Sequence, residues 1–279
     1  MSYPNTIQSF RQKENRSGVS FDPSLKKVLF VEDLEIIEGE IENIETQLLL
    51  SQYASPKYKR AFGSYLGIGY NDLYTVPSGK KAFVLPHYRF FNASASTIFP
   101  YIYVDIAGSQ YIIYGGSNLS SGDDRVIKTG QGIVLNAGEK IGVNVGLASG
   151  LNAFFSVLEF DDTTPIYRAD AFNMSSGQTK MYIVPPGKSA KMLSDLDNTS
   201  LIGLFNNSIA SADYIFYTVP FGGSPGITNQ CVRQFSVANY SFLGLDFFDT
   251  LTEDDEVWIE TNSGNSGQHA WFNYWEFDS

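Results

Sequence analysis

Two patterns of hydrophobic residues divide the chain. Before about residue 60, apolar side chains recur every three or four positions, whereas beyond it they alternate with polar residues in short runs separated by turns. The first pattern is typical of a helix and the second of strands. The sequence therefore predicts a mainly β protein, with an N-terminal arm and helix (residues 1–60) followed by two tandem jelly-roll-like β-sandwich domains (residues 61–162 and 163–279).

The helical pattern has the 4-3-4-3-4 spacing of a heptad seam. Its seam residues are Phe30, Leu34, Ile37, Ile41, Ile44 and Leu48. Acidic residues between them form an outer face, and Gly39 lowers the helix propensity. Two interpretations fit: an amphipathic helix packed on its own β-domain, or a short parallel coiled coil, for which recurrent isoleucine favours a trimer. A strand over Leu34–Ile44 fits the spacing poorly.

The segment before the helix is polar and basic. Residues 1–27 carry five basic and two acidic side chains, a net charge of 5 − 2 = +3, although the whole chain has a formal net charge of −11. The segment is either a floppy terminus or an arm that orders on a neighbouring subunit through Phe10, Val19 and Phe21. Its basic residues, together with Lys57, Lys59 and Arg60, are candidates to neutralise the acidic helix face.

One motif occurs twice in the β region. Tyr74–Lys80 (YTVPSGK) and Tyr182–Lys188 (YIVPPGK) lie 108 residues apart (182 − 74), and each opens a segment that closes on Glu-Phe-Asp, at 159–161 and 276–278. A Val-Pro strand end followed by a glycine turn and a further apolar run joins two strands. The offset grows to 114 (206 − 92) at a repeated asparagine turn, so the copies differ by loop insertions. The sequence thus predicts a tandem duplication.

Alternation and turn signals predict seven strands in the first copy, which favours a β-sandwich or jelly roll. They are Tyr70–Val76, Lys81–Asn92, Phe99–Ile106, Gln110–Tyr114, Gly132–Leu135, Lys140–Val145 and Ala153–Phe160.

The composition limits the classes of function that are expected for this chain. The negative charge argues against nucleic-acid binding and gives no reason to expect affinity for an anionic membrane. No apolar run has the length of a membrane span, and the N-terminus lacks the features of a signal peptide. The single cysteine, Cys231, cannot form an intrachain disulfide, so stability is expected to come from packing or assembly.

No catalytic, cofactor-binding or metal-binding residues are predicted. The two histidines, His87 and His269, fall in different copies and lack a nucleophile motif, so both are expected to be structural. Acidic clusters such as Glu253–Glu256 lack the alternation of a calcium loop. Lys80 and Lys188 are expected to lack an acid, base or phosphate-binding partner set nearby, which indicates that the repeated motif organises a scaffold.

The three tryptophans, Trp258, Trp271 and Trp275, all lie in the last strands of the second copy. Clustered aromatic residues can form a protein interface or a platform on which a sugar stacks. Trp271 and Trp275 are four positions apart and would share one face of a strand. The preferred interpretation is therefore a core or a subunit interface, with partner or glycan contact as the alternative.

Both motif copies resemble the YTVPAGK opening common in tailed-bacteriophage virion proteins. That opening is typically followed by an asparagine turn and a late L-x-x-G-[DE]-x-[IL] strand pair. The first copy matches with Asn92 and with Leu135–Ile141, whereas the second has Asp254 in place of the glycine.

The resemblance implies a non-enzymatic virion structural protein without a cofactor, located in the virion and assembled in the host cytoplasm. We expect an oligomeric tail, fibre or baseplate component anchored by its arm and helix. The alternatives are a capsid decoration (cement) protein and a carbohydrate-binding module in host recognition. Expected partners are copies of the chain itself as a homotrimer, other virion proteins and, for the last alternative, a host-surface glycan, with no nucleic acid and no membrane.

Overall fold

The structure is a computed structural model that describes residues 57–115, 118–128, 132–192, 202–219, 225, 233–245, 250–262 and 267–278. These residues form nineteen strands and no helix. Within these ranges no helix has the length and apolar character needed to span a membrane. The predicted arm and heptad helix, with all six seam residues, lie outside the described residues and stay predictions.

The first half of the described chain is an antiparallel two-sheet sandwich. Its strands are β1 (Lys57–Leu66), β2 (Gly69–Thr75), β3 (Lys80–Asn92), β4 (Phe99–Ile106), β5 (Ser109–Tyr114), β6 (Asp124–Lys128), β7 (Ile133–Leu135), β8 (Lys140–Gly146) and β9 (Leu151–Asp161). Sheet 1A has the order β1-β9-β3-β6, with short β7 also on β3, and sheet 1B has the order β2-β8-β4-β5. β1 pairs with β9, β2 with β8, β3 with β6 and β4 with β5, so each pair lies within the preceding pair along the chain. Strand β7 is an additional partner of β3. This nested pairing defines a jelly roll, called here the first roll.

The second half repeats this topology and is called the second roll. Its strands are β10 (Ile166–Met174), β11 (Gly177–Ile183), β12 (Lys188–Met192), β13 (Ile202–Asn206), β14 (Ala212–Val219), β15 (Arg233–Val237), β16 (Ser241–Leu245), β17 (Thr250–Leu251), β18 (Glu256–Thr261) and β19 (Gln268–Asp278). In sheet 2A, β19 pairs with β10 on one edge and with β12 and β13 on the other, and these carry β17 and β16. Sheet 2B has the order β11-β18-β14-β15. The predicted tandem duplication and jelly-roll topology are therefore confirmed.

The two rolls differ at β3, which is one strand in the first roll but corresponds to two strands, β12 and β13, in the second. In β3, residues 85–87 stand opposite the single residue Ser156, because Val84 pairs with Val157 and Tyr88 with Phe155. In sheet 2A, Met192 pairs with Tyr274 and Ile202 with Phe272, so nine residues of sequence separate the two pairs where three do in β3. The six additional residues account for the growth of the sequence offset from 108 to 114.

All seven strands predicted in the first copy are present within two residues at each end, but β1 and β6 were missed. The inward positions of β1 are small residues, Ala61 and Gly63, and its aromatic residues point outward. Alternation of apolar-in and polar-out is therefore absent from its sequence. Short β6 contains three charged residues. The predicted start of the first domain at residue 61 falls inside β1, whereas the boundary between residues 162 and 163 lies in the connection between β9 and β10.

Each roll closes on the two repeated sequence motifs, which bind each other. The hydroxyl of Tyr74 donates to Glu159 (2.9 Å), and Lys80 pairs with Asp161. In the second roll, Tyr182 donates to Glu276 (3.4 Å) and Lys188 pairs with Asp278 (2.7 Å). The interpretation that the two lysines lack acidic partners was thus wrong, because the partner comes from the last strand of the roll, far away in the sequence. The interpretation that the motif serves the scaffold is consistent with these contacts.

Hydrophobic side chains fill the space between the sheets of each roll. The first core contains Phe90, Ile102, Val143 and Phe155, among others, and the second contains Tyr214, Phe216, Val257 and Phe272. Phe205 and Trp271 belong to the second roll by sequence, yet they pack with the first core cluster. Contacts between the rolls therefore form part of the buried structure, within one compact unit that spans Ala54–Ser279.

Candidate functional site

The second roll packs the outer face of sheet 2A against the free edge of β7 in the first roll. We call this contact the joint. Asn273 on β19 binds the β7 backbone as a neighbouring strand would: its Oδ1 accepts from the Val134 amide (2.9 Å) and its Nδ2 donates to the Gly132 carbonyl (3.0 Å). The indole of Trp271 donates to the same carbonyl (3.2 Å). The joint thus satisfies an edge strand that would otherwise expose unpaired backbone groups.

The buried guanidinium of Arg168 lies at one end of the joint. The side chain of Arg168 is only 4% exposed. It donates to the Val134 carbonyl and to both carboxylate oxygens of Glu139 (2.8 and 3.0 Å), and it also pairs with Asp170 on its own strand (2.6 Å). Burial opposes the charged guanidinium, but the hydrogen bonds and charges of the two carboxylates outweigh burial and raise the pKa of Arg168. A bidentate contact between a guanidinium and a carboxylate fixes the relative orientation of the two groups as well as their distance.

Aromatic rings fill the other end of the joint around His269. Tyr111 of the first roll stacks on Phe172 of the second, with ring centroids 4.6 Å apart. His269 meets both rings edge-on and stacks on Phe205. Its Nδ1 accepts from the Asn173 amide (3.0 Å), which places the proton of the neutral ring on Nε2. Burial lowers the pKa of His269 to about 4, so this imidazole is neutral near pH 7.

The outer face of sheet 1A, in contrast, is open to solvent and contains a shallow groove. Its lining includes Arg60, Phe91, Asn152, Phe154 and Ser156, together with His87. Large apolar side chains lie around it: Tyr58 is 75% exposed, Val126 60% and Phe62 48%. Aromatic groups exposed together on one sheet face indicate an interaction surface.

Arg60 lies over the aromatic rings of this groove. Its guanidinium carbon is 4.7 Å from the centre of the Phe154 ring and 5.4 Å from that of Phe62, and the two rings are 4.6 Å apart. No carboxylate of the described chain pairs with Arg60. At the groove edge, Arg89 is held by Asp124. The groove therefore presents the guanidinium of Arg60 above an apolar floor, without a carboxylate partner among the residues that the structure describes.

The three tryptophans occupy different environments. Trp271 and Trp275 do share the outer face of β19, but they are 1% and 2% exposed. Trp258 lies in sheet 2B, partly buried, where its indole donates to Glu256 (2.6 Å) and Lys180 lies 4.9 Å from its ring. In this structure the three residues do not form one exposed platform.

Trp271 and His269 were singled out from the sequence, but Asn273, Arg168 and Glu139 were not. The signal was nevertheless present in β19, which has no alternation of polar and apolar residues: every residue from Gln268 to Trp275 is buried. Ala270, Phe272 and Tyr274 face the second core, and the residues between them face the joint. A strand buried on both faces reads as a continuous apolar run. Among the described residues, no cluster of three or more His, Cys, Asp or Glu side chains could hold a metal ion.

Comparisons with known proteins yield weak structural similarity. No protein family matches the sequence, and no curated protein does. One similar solved structure is the STIV MCP, with TM-score 0.31 and 10% identity over 80% of this chain and 96% of that chain. The major capsid protein P2 of bacteriophage PM2 gives 0.23 and 10% over 78% and 97%. A tandem CBM22 pair of Paenibacillus barcinonensis Xyn10C gives 0.21 and 7% over 81% and 93%. None of these similarities assigns the chain to a family.

Proposed function

We propose that this chain is a non-enzymatic structural protein of a tailed-phage virion, which acts by assembling with further copies of itself. The observation that carries the proposal is the contrast between two equivalent surfaces. The outer face of sheet 2A is buried in the joint, whereas that of sheet 1A exposes aromatic residues and a guanidinium. A protein that works through assembly needs such a surface, since buried apolar area drives association.

The environment of His269 supports a non-enzymatic role. His269 is enclosed by three rings, and its Nδ1 already accepts a backbone hydrogen bond. It is therefore not placed to act as a general base on a bound substrate. His87 lines the shallow groove.

Within the virion, a tail, fibre or baseplate component anchored by the N-terminal arm and helix remains our leading proposal. It rests on the sequence resemblance and the heptad seam. The second candidate is a capsid component, and the open face of sheet 1A favours it, because copies in a shell or on its surface contact one another laterally. The burial of Trp271 and Trp275 counts against the carbohydrate-binding alternative.

Labelling of purified particles tests the proposal. Gold-coupled antibodies against the chain should bind intact virions, and their position on head or tail distinguishes the two candidates. Recovery of the chain only in the soluble fraction of lysed cells, with none in purified particles, would overturn the proposal. The seam is tested separately in the full chain: Ile37→Asp and Ile41→Asp should lower the oligomeric mass measured by light scattering.

A further inference from the structure

The two rolls place corresponding residues at corresponding positions in their sheets. In the first roll, Lys57 pairs with Glu159 and Arg60, three positions on, pairs with Ser156. In the second roll, Glu276 binds Pro165 through the backbone, and Arg168, three positions beyond that proline, pairs with Asn273. Since the Glu-Phe-Asp tripeptide fixes the register of both last strands, Arg60 is the counterpart of Arg168.

The same register assigns counterparts to the other residues of the joint. Phe154 corresponds to Trp271, Ser156 to Asn273, Asn152 to His269 and Phe91 to Phe205. All of these first-roll counterparts, together with Arg60, line the groove on sheet 1A. The groove is thus the first-roll equivalent of the surface that the joint buries in the second roll.

The side of the joint that the first roll contributes, β7 and the turn after it, also has an equivalent in the second roll. Glu139, which holds Arg168, accepts from the amide of Asn136 (2.8 Å) in the turn after β7. Asp255 accepts from the amide of Thr252 (2.8 Å) in the turn after β17. Both turns have a left-handed residue just before the carboxylate, Gly138 (φ 85°) and Asp254 (φ 66°). Asp255 makes no ion pair with any residue that the structure describes.

We propose that copies of this chain associate head to tail by repeating the joint: the edge of β17 and Asp255 of one copy dock into the sheet 1A groove of the next. Arg60 would then bind Asp255 of the second copy as Arg168 binds Glu139. β17 would lie against Phe154 and Ser156, as β7 lies against Trp271 and Asn273. This interface deepens the assembly role proposed above and rests on it.

Charge and stoichiometry favour a second copy as the occupant. Strand β1 carries Arg60 on its groove face, with Lys57 and Lys59 at neighbouring positions of the same strand, whereas the docking turn carries Glu253, Asp254 and Asp255. Within the part of the chain that the structure describes, there is one filled joint, one equivalent groove without an occupant and one equivalent turn that makes no such contact. A contact between two different surfaces of identical chains passes from copy to copy and closes into a ring when the rotation allows it.

Charge reversal in the full chain tests the interface. We expect the wild-type chain to be oligomeric by size-exclusion chromatography with light scattering, and Arg60→Glu and Asp255→Arg each to lower the mass to that of the assembly held by the heptad seam alone. The double variant, Arg60→Glu with Asp255→Arg, should recover the oligomeric mass, because the pair is restored with the charges exchanged. An equimolar mixture of the two single variants should also reassemble.

Lys59→Glu is the matched control, because it makes the same change of charge one position away on the opposite face of β1. It should leave the mass unchanged, and circular dichroism should show that all variants remain folded. A monomeric wild type, an oligomer whose mass Arg60→Glu and Asp255→Arg leave unchanged, or a double variant that keeps the lowered mass would each overturn the proposal. Virion labelling is independent of these outcomes, so the interface can fail while the proposed function stands.

Discussion

The hydroxyl of Tyr74 donates a 2.9 Å hydrogen bond to the carboxylate of Glu159, and this contact joins the start of the repeated motif to the last strand of the first roll. Glu159 is buried at 7% exposure. Burial and the adjacent carboxylate both raise the pKa of Tyr74, so its hydroxyl remains a donor throughout the ordinary pH range.

Tyr74→Phe should therefore lower the free energy of unfolding by about 1–2 kcal/mol, because the buried carboxylate loses a donor. Urea denaturation followed by fluorescence would measure the change. Tyr70→Phe, on the same strand with the ring 49% exposed, is the control and should change stability little. Equal effects of the two substitutions would contradict the role assigned to Tyr74.

Trp271→Ala should destabilise the protein by about 3–5 kcal/mol, since it removes a fully buried indole from the joint and leaves a cavity. The indole hydrogen bond to Gly132 is lost as well. Thermal unfolding measures the loss, and the partly buried Trp258, changed to alanine, should cost less than half as much.

The Trp271→Ala variant also distinguishes a structural role of Trp271 in the joint from a role in a glycan-binding platform. A Trp271→Ala protein that keeps wild-type stability but no longer binds a glycan array would refute the structural role of this tryptophan.

Stability should decrease in acid because of His269. Burial lowers its pKa from 6.5 to about 4, so in this pH range the unfolded chain binds a proton more readily than the folded chain does. The full contribution is present above pH 6.5 and is lost progressively as the pH falls from 6.5 towards 4, by about 1 kcal/mol per pH unit.

Chemical denaturation at a series of pH values would measure this slope. His269→Gln retains a hydrogen-bond acceptor without an ionisable ring, so its stability should be flatter between pH 6.5 and 4. A variant whose slope equals that of the wild type would show that other groups cause the loss.

A buried asparagine holds the same turn in both rolls. In the first roll, Asn92 donates to the carbonyls of Ser96 (2.7 Å) and Leu119 (2.9 Å), while its Oδ1 accepts from Ser94. Asn206 makes the equivalent contacts in the second roll. Asn92→Asp would place a carboxylate against two carbonyl oxygens in a site with no solvent exposure.

We expect Asn92→Asp to destabilise the protein by about 3 kcal/mol at neutral pH, and by less in acid, where the carboxyl is protonated. Asn152→Asp is the control: Asn152 accepts from the Tyr65 amide through Oδ1 (2.7 Å), a bond that a carboxylate can also accept. Denaturant midpoints at two pH values would measure both variants. Equal losses for the two would show that burial of Asn92 does not determine the cost.

The sequence predicted the parts of the fold that local chemistry determines. Alternation located the strands of the first roll, and repetition of the Val-Pro-x-Gly-Lys motif revealed the duplication. Even the departure at Asp254 preserves the turn, because aspartate tolerates the left-handed conformation that Gly138 adopts.

The candidate site was predicted less well, because it depends on contacts distant in sequence. Arg168 and Glu139 are 29 positions apart and belong to different rolls, so their contact depends on how the two rolls pack together. The Trp271 and Trp275 pattern correctly indicated a shared face, but no local signal shows that the neighbour of this face is the first roll. Strand β1 was missed because the groove side carries its aromatic residues.

The burial of β19 on both faces has a consequence for the order of folding. During synthesis this strand leaves the ribosome after β10, β12 and β13, its partners in sheet 2A, and after β7 and Glu139, which the joint needs. Each roll can close only when its last strand, β9 or β19, has emerged, and the joint in addition requires β19. Since domains fold as units during synthesis and incomplete sheets expose edges that can aggregate, both sheet 2A and the edge of β7 stay unpaired until β19 emerges.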